Sequence, residues 1–220
     1  MMETETGSQF YPWSNSMSIH IHRIYTRAGD QGSTALAGGV QVSKSSLEVE
    51  SYGESDELIS FLGVVRAYAT DPRTRPSAKI AAETDEIFRK VQNILYEAGA
   101  VLASAKPPVA EAQTYDATAD PRITFLEERI DRYREMFDAI DGFTIPGDCM
   151  LGAHAHVART VCRRWERVLV RRNELSPIDP WVLAYANRLS DYLFAYTRWI
   201  TALLSTQEEL WKGPEAAPEH

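Results

Sequence analysis

The stretch Leu151-Gly152-Ala153-His154-Ala155-His156-Val157-Ala158-Arg159-Thr160-Val161-Cys162-Arg163-Arg164-Trp165-Glu166-Arg167-Val168-Leu169 decides the fold. Leu151, Ala155, Ala158, Cys162, Trp165 and Leu169 recur at alternating steps of four and three. Side chains so spaced form one narrow apolar stripe on an α-helix, the pattern of helices packed nearly parallel.

Four other segments repeat the pattern. One carries Leu58, Phe61, Val65 and Tyr68, and the next Ile80, Thr84, Ile87, Val91, Ile94, Ala98 and Val101. A third carries Ile123, Leu126, Ile130, Tyr133, Phe137 and Ile140, and the last Ala186, Leu189, Leu193, Tyr196, Ile200 and Leu203. No strand-like alternation competes, so an all-α bundle of five helices is expected. Pro107-Pro108 and Asp120-Pro121 bracket a long, helix-poor connection between the second and third helices. Pro146-Gly147 and Pro177 to Pro180 mark the remaining joints. Thr26 to Ser46 is rich in Gly, Ser and Thr and has no helical period, so it reads as an ordered loop. Residues 1–20 read as a disordered tail, 21–211 as one helical-bundle domain, and 212–220 as a second disordered tail.

The 220 residues, 44% of them apolar, suffice for a real core. No apolar run approaches the ~20 residues of a membrane span, and the first twenty residues lack the apolar core of a signal peptide. Two cysteines, Cys149 and Cys162, are too few for a disulfide framework and suit a reduced, cytoplasmic protein. A net charge of −8 argues against general nucleic-acid binding.

A basic site exists nonetheless. Arg159, Arg163, Arg167 and Arg171 recur every fourth residue and border the apolar seam, with Arg164 and Arg172 adding charge and Glu166 alone relieving it. Like charges four apart on a helix repel by roughly 0.2–0.5 kcal/mol per pair. Such a stripe calls for anions: carboxylates of another helix or subunit, or a phosphate gripped by the planar guanidinium fork. A solvated basic face is the alternative, and spacing does not choose between them.

In Thr26-Arg27-Ala28-Gly29-Asp30-Gln31-Gly32-Ser33-Thr34 two glycines let backbone N–H groups approach a ligand closely. Thr26, Ser33 and Thr34 add hydroxyls, Arg27 and Lys44 add charge, and Asp30 is placed to hold Mg²⁺ or orient the loop. That inventory suits phosphate oxygens, although a plain Gly-rich turn has the same composition. No Walker-type Gly-x-x-x-x-Gly-Lys-Ser/Thr occurs. No histidine has a Glu three residues before it, which excludes a di-iron carboxylate bundle. His154 and His156, two apart, cannot share a helix face. Asn187 and Asp191, four apart beside the seam, read either as a helix–helix hydrogen bond or as ligand contacts.

Taken together, the segments resemble the PduO-type ATP:cob(I)alamin (corrinoid) adenosyltransferases. The matching pieces are Tyr25 to Thr34, Tyr52-Gly53-Glu54-Ser55-Asp56-Glu57-Leu58, Val91-Gln92-Asn93-Ile94-Leu95 with Gly99-Ala100, Ala158 to Arg167, and Asn187 to Phe194. Each is weak alone; five in one order are specific.

The resemblance implies a homotrimer of five-helix bundles with active sites between subunits. It implies transfer of the 5′-deoxyadenosyl group of ATP to the Co(I) of a reduced corrinoid, with release of triphosphate and with Mg²⁺ carried by ATP. Thr26, Arg27, Ala28, Gly29, Asp30, Ser33, Thr34 and Lys44 would hold the triphosphate. Arg163, Arg164, Glu166, Arg167 and Asn187 would complete the nucleotide site from the neighbouring subunit, with Arg163 and Arg167 catalytic. Asp56 would pair with Arg163 across the interface, and Phe143 would fill the lower axial side of the corrinoid. A flavoprotein reductase and an adenosylcobalamin-dependent enzyme are the implied partners. The other readings are an adenosylcobalamin-delivery protein and an ATP-binding regulatory bundle. Gln31, Asp148-Cys149-Met150 and Trp165 depart from the family pattern; Trp165 is expected to repack the seam.

Overall fold

The computed structural model describes residues 24–74, 76–105, 114–140 and 142–213. The readings made for residues 1–20 and for the end of the chain beyond 213 lie outside them. Five α-helices carry the described fold: α1 (Leu47–Thr70), α2 (Ala78–Leu102), α3 (Pro121–Arg134), α4 (Met150–Leu175) and α5 (Pro180–Leu204). Two short antiparallel ribbons accompany them, β1 (Ser33–Ala35) with β2 (Gln41–Ser43), and β3 (Thr144–Ile145) with β4 (Glu209–Leu210).

The helix boundaries follow local chemistry. Ser77 Oγ accepts from the Ile80 N–H at 3.2 Å to start α2. Asp120 accepts from the Arg122 N–H at 2.9 Å, with Pro121 as the first residue of α3. Cys149 caps α4 through its sulfur, 3.2 Å from the Gly152 N–H. Ser205, in the left-handed region at φ 51°, closes α5.

The helices pack side by side in the order α2, α1, α4, α5, α3. Leu58, Leu62 and Val65 of α1, Phe88, Val91 and Leu95 of α2, Cys162, Trp165 and Leu169 of α4, and Leu189, Leu193 and Tyr196 of α5 fill one core. Trp165 is fully buried on the seam, and its indole Nε1–H donates to the Ser51 carbonyl oxygen of α1 at 2.9 Å. The Cys162 thiol donates to the Ala186 carbonyl oxygen at 3.3 Å, joining α4 to α5.

Three elements differ from the sequence reading. The first helix begins at Leu47, well before Leu58, so its N-terminal turns carry Glu48, Glu50 and Glu54. The third helix stops at Arg134, short of Phe137 and Ile140. There the Met136 N–H turns to the carbonyl of Tyr133, only three residues back, and Phe137 instead packs beneath the Arg198 guanidinium, 4.5 Å from its ring centre. The loop before α1 contains the β1–β2 ribbon, three residues a strand and too short for alternation to register.

Candidate active site

Two groups of residues from the sequence reading are built on different parts of the chain. The first is the loop from Thr26 to Thr34. Arg27 takes a left-handed backbone, φ 62°, and Gly32 follows at φ 81°. The Ala28 N–H leans on Thr26 Oγ1 at 3.4 Å, and the Gly32 N–H bonds the Gly29 carbonyl at 3.2 Å. The ribbon pairs Ser33 with Ser43, and so returns Lys44 to the loop. The Lys44 N–H donates to the Gly32 carbonyl at 2.8 Å. Its ammonium lies so close over Gly29 that a Cβ there would stand 2.9 Å from Nζ. Ala37 anchors the far side of the ribbon to the end of α2, donating to the Ala103 carbonyl at 2.8 Å. The loop thus presents two cations, three hydroxyls and exposed backbone to solvent, on a frame tied to α1 and α2.

The second group is the arginines of α4, which divide by side. Arg164 pairs with Glu54 at 2.7 Å and, more closely still, with Glu57. Arg171 pairs with Glu50 at 2.7 Å, and the buried Arg172 with Glu48 at 3.4 Å. These four glutamates all lie on α1. Donating to the Glu57 and Glu54 carboxylates raises the Arg164 pKa further. Arg159, Arg163 and Arg167 have no carboxylate within ion-pairing distance among the described residues. Arg167 folds back onto the Arg163 carbonyl at 3.1 Å. Half-buried Arg159 rests its Nε–H on Nδ1 of His156 at 3.4 Å; burial, then the Arg163 charge, lowers its pKa. His156 is buried, and that burial holds its own pKa below the ordinary value of 6.5, leaving Nδ1 free to accept. His154 takes a different path, ring against Tyr68 of α1.

Glu166 is half-buried on the same helix, and Asn187 is exposed on neighbouring α5. Asp191 is drawn to Arg188, 2.7 Å away, so it makes no pair with Asn187. Asp56 is exposed on α1 and forms no ion pair with Arg163 within the chain. No hydrogen bond or ion pair joins the Thr26–Thr34 loop to Arg159, Arg163, Arg167 or Asn187 among the described residues. Phe143 stands at the bundle end, 76% exposed, with its ring 6.4 Å from that of Trp211.

Sequence reasoning missed the α1 glutamates as internal partners. Glu50, Glu54 and Glu57 stand at steps of four and three, a periodic acidic face that mirrors the α4 arginines. It also missed the contacts of Asp148 with α5, because no short-range pattern foretells a bond across more than fifty residues.

A helical bundle whose α4 carries arginines that no carboxylate of the described residues neutralises, with a separate loop of hydroxyls and cations, has donors of the kind that suit phosphate oxygens. The model of the cobalamin adenosyltransferase family matches residues 24–200. A corrinoid adenosyltransferase of Citrobacter freundii is 39% identical over 178 residues, covering 81% of this chain and 94% of its own. One from Bacillus subtilis is 38% identical over 181 residues, 82% of this chain and 87% of the relative. The solved structure of a PduO-type ATP:corrinoid adenosyltransferase from Lactobacillus reuteri, a phenylalanine-to-histidine variant complexed with cobalamin and ATP, superposes with a TM-score of 0.74 at 30% identity. It covers 86% of this chain and 97% of that one. The chain belongs to the cobalamin adenosyltransferase family.

Proposed function

We propose that this chain transfers the 5′-deoxyadenosyl group of ATP to the Co(I) centre of a reduced corrinoid, using the Thr26–Thr34 loop and the free arginines of α4 as the two halves of its nucleotide site. The enzyme is an ATP:corrinoid adenosyltransferase, as its relatives are named and as the ATP- and cobalamin-bound neighbour supports. The observation that carries the site reading is the division of α4. Arg164, Arg171 and Arg172 are spent on glutamates of the same chain, while Arg159, Arg163 and Arg167 remain available to an anion.

Reaction chemistry fits that inventory. Co(I) is itself a strong nucleophile. It attacks the 5′ carbon, the Co–C bond forms, and the C5′–O bond breaks with its electron pair leaving on the triphosphate. The leaving group departs unprotonated, so neither a general acid nor an activated side chain is required. The chain's task is to hold C5′ in line and to neutralise charge growing on the triphosphate. Thr26, Arg27, Ala28, Gly29, Asp30, Ser33, Thr34 and Lys44 supply one set of contacts. Arg163, Glu166, Arg167 and Asn187 supply the other, with Arg163 and Arg167 facing the departing charge; Arg164, expected there from the sequence, is held instead by Glu54 and Glu57.

Mg²⁺ bound to a nucleotide keeps most of its ligands from phosphate and water and takes one or two carboxylates from protein. Asp30 in the loop and Glu166 on α4 are the carboxylates that would serve, and Mg²⁺ held by them would spread the phosphate charge.

The separation of the two halves in one chain is met by a homotrimer, in which the arginines of one protomer close the loop of its neighbour and Asp56 meets Arg163 across the interface. Phe143, exposed at the bundle end, is assigned to the corrinoid's lower face. No helix among the described residues is long and apolar enough to cross a membrane; a cytoplasmic setting and a reductase that supplies the Co(I) state belong to this proposal. The deciding experiment mixes the chain with ATP, Mg²⁺ and chemically reduced cobalamin and follows the alkylcobalt spectrum. Product formation dependent on ATP is expected; none at saturating substrates overturns the reading.

A further inference from the structure

The loop that precedes α4 is held from behind. Asp148 Oδ2 accepts from the Thr201 hydroxyl at 2.5 Å and from the Thr206 hydroxyl at 3.3 Å. Thr201 is buried near the end of α5, and Thr206 follows the left-handed Ser205 that closes it. From Thr206 the chain runs through Glu208 into β4, which pairs with β3 beside Phe143. The Trp211 N–H donates to the Phe143 carbonyl at 2.8 Å. Glu208 in turn lies 2.5 Å from the buried Arg198, which also donates to the Asp138 carbonyl at 3.0 Å.

Residues 205–211 therefore form a strap with two fastenings on the Phe143 loop. One is the strand pairing near Phe143, and the other is the knot at Asp148. The second carboxylate oxygen of Asp148 sits over the first turn of α4, where a Cβ on Gly152 would stand 3.1 Å from Oδ1. A carboxylate at that end of a helix is favoured by the helix dipole. One side chain thus ties together the start of α4, the end of α5 and the strap.

We infer that Asp148 is a positioning residue for the corrinoid: by accepting from Thr201 and Thr206 it holds the strap against the Phe143 loop and so fixes where the Phe143 ring stands. The inference rests on the assignment of Phe143 to the corrinoid. Among the described residues Asp148 makes no hydrogen bond or ion pair with the Thr26–Thr34 loop, Arg163 or Arg167, so its loss is expected to be felt by one substrate more than the other. A carboxylate that merely stabilised the start of α4 would leave both substrates alike.

The test uses the full chain and the variants Asp148→Ala, Asp148→Asn, Thr206→Val and Phe143→Ala. Hydrogen exchange at the Trp211 amide reads the strap, and KM for chemically reduced cobalamin and for ATP reads the site. Asp148→Ala is expected to speed Trp211 exchange and raise the cobalamin KM by about tenfold each, the worth of one or two hydrogen bonds, with the ATP KM within about twofold. Asp148→Asn keeps an acceptor oxygen and is expected to restore both. Thr206→Val, at a half-buried position, gives the same direction if Asp148→Ala does not fold. Unchanged Trp211 exchange in Asp148→Ala overturns the strap. Faster exchange with both KM values unmoved, or moved together, overturns the positioning role. An unchanged cobalamin KM in Phe143→Ala overturns the assignment of Phe143, and is distinguishable because it leaves the exchange result for Asp148→Ala standing.

Discussion

Trp165 and Ser51 are joined across the α1–α4 seam by an indole-to-carbonyl hydrogen bond of 2.9 Å, both residues fully buried. A tryptophan in a bundle core needs such a partner for its N–H, and here the backbone of α1 supplies it. Trp165→Phe removes the bond and keeps most of the volume, so it is expected to cost about 1 kcal/mol. Trp165→Ala opens a cavity and is expected to cost about 3–5 kcal/mol. Urea unfolding of both variants checks the order; equal losses would contradict the hydrogen bond's role.

Among the described residues Arg163 has no carboxylate partner, whereas Arg164 has two. Arg163→Ala is therefore expected to break no ion pair within the chain, so that any fall in the unfolding midpoint reports weaker assembly and depends on protein concentration, while kcat/KM falls by about 10²–10³, the usual worth of one donor to a developing anion. Arg163→Lys keeps charge without the planar fork and should fall between. Steady-state kinetics beside thermal melts measure the split.

Asp56 and Arg163 are both exposed in the single chain. If they meet across subunits, Asp56→Ala and Arg163→Ala each weaken assembly, and the double variant weakens it by less than the sum. Light scattering over a dilution series reads this. Trimers of normal stability in both single variants would remove the pair from the interface.

Gly29 cannot gain a Cβ without meeting Lys44 Nζ at 2.9 Å and the Ser33 carbonyl at 3.2 Å. The lysine can swing away and the carbonyl cannot. Gly29→Ala is expected to raise the ATP KM about tenfold or more by displacing Lys44 and straining the loop. The cobalamin KM should hold, and a matched rise in both would argue against a nucleotide-only role for the loop.

His156 is buried, and desolvation lowers its pKa from 6.5, with the Arg159 charge acting the same way. As pH falls through 6.5 the unfolded chain takes up a proton that the folded chain refuses. Stability is thus fully present above the unfolded value and declines as pH falls toward the depressed folded one. His156→Asn, which keeps an acceptor for Arg159, removes this decline. Unfolding free energies for the two proteins at a series of pH values should converge as the solution is acidified; parallel curves would count against it.

Much of this was legible in the residues. The three-and-four spacing of Leu151 to Leu169 and its four counterparts marks the helices, because burial on one face imposes the period whatever the partner. Gly29, Gly32 and their hydroxyl neighbours mark the loop as a candidate for phosphate oxygens, and the structure brings Lys44 over Gly29. What escaped was long-range. Nothing local says that Glu54 and Glu57 reach Arg164, since that depends on α1 lying beside α4. The two-residue strands β3 and β4 are too short to leave a pattern, and their pairing joins the two ends of the α4–α5 hairpin. Phe137 obeyed the helical period yet left the helix, because the same apolar position was satisfied by a turn under Arg198.

The two sides of α4 also set how related chains can drift apart. Arg164, Arg171 and Arg172 have partners in the same polypeptide, so each can be exchanged together with its glutamate and the pair re-formed with other residues. Arg159 and Arg167 have no such carboxylate among the described residues, and Arg163 has only the Asp56 proposed to reach it from another subunit. Compensating pairs among homologues should therefore connect one side of α4 to α1 of the same chain, while on the other side Arg159 and Arg167 stay invariant and Arg163 changes only together with Asp56.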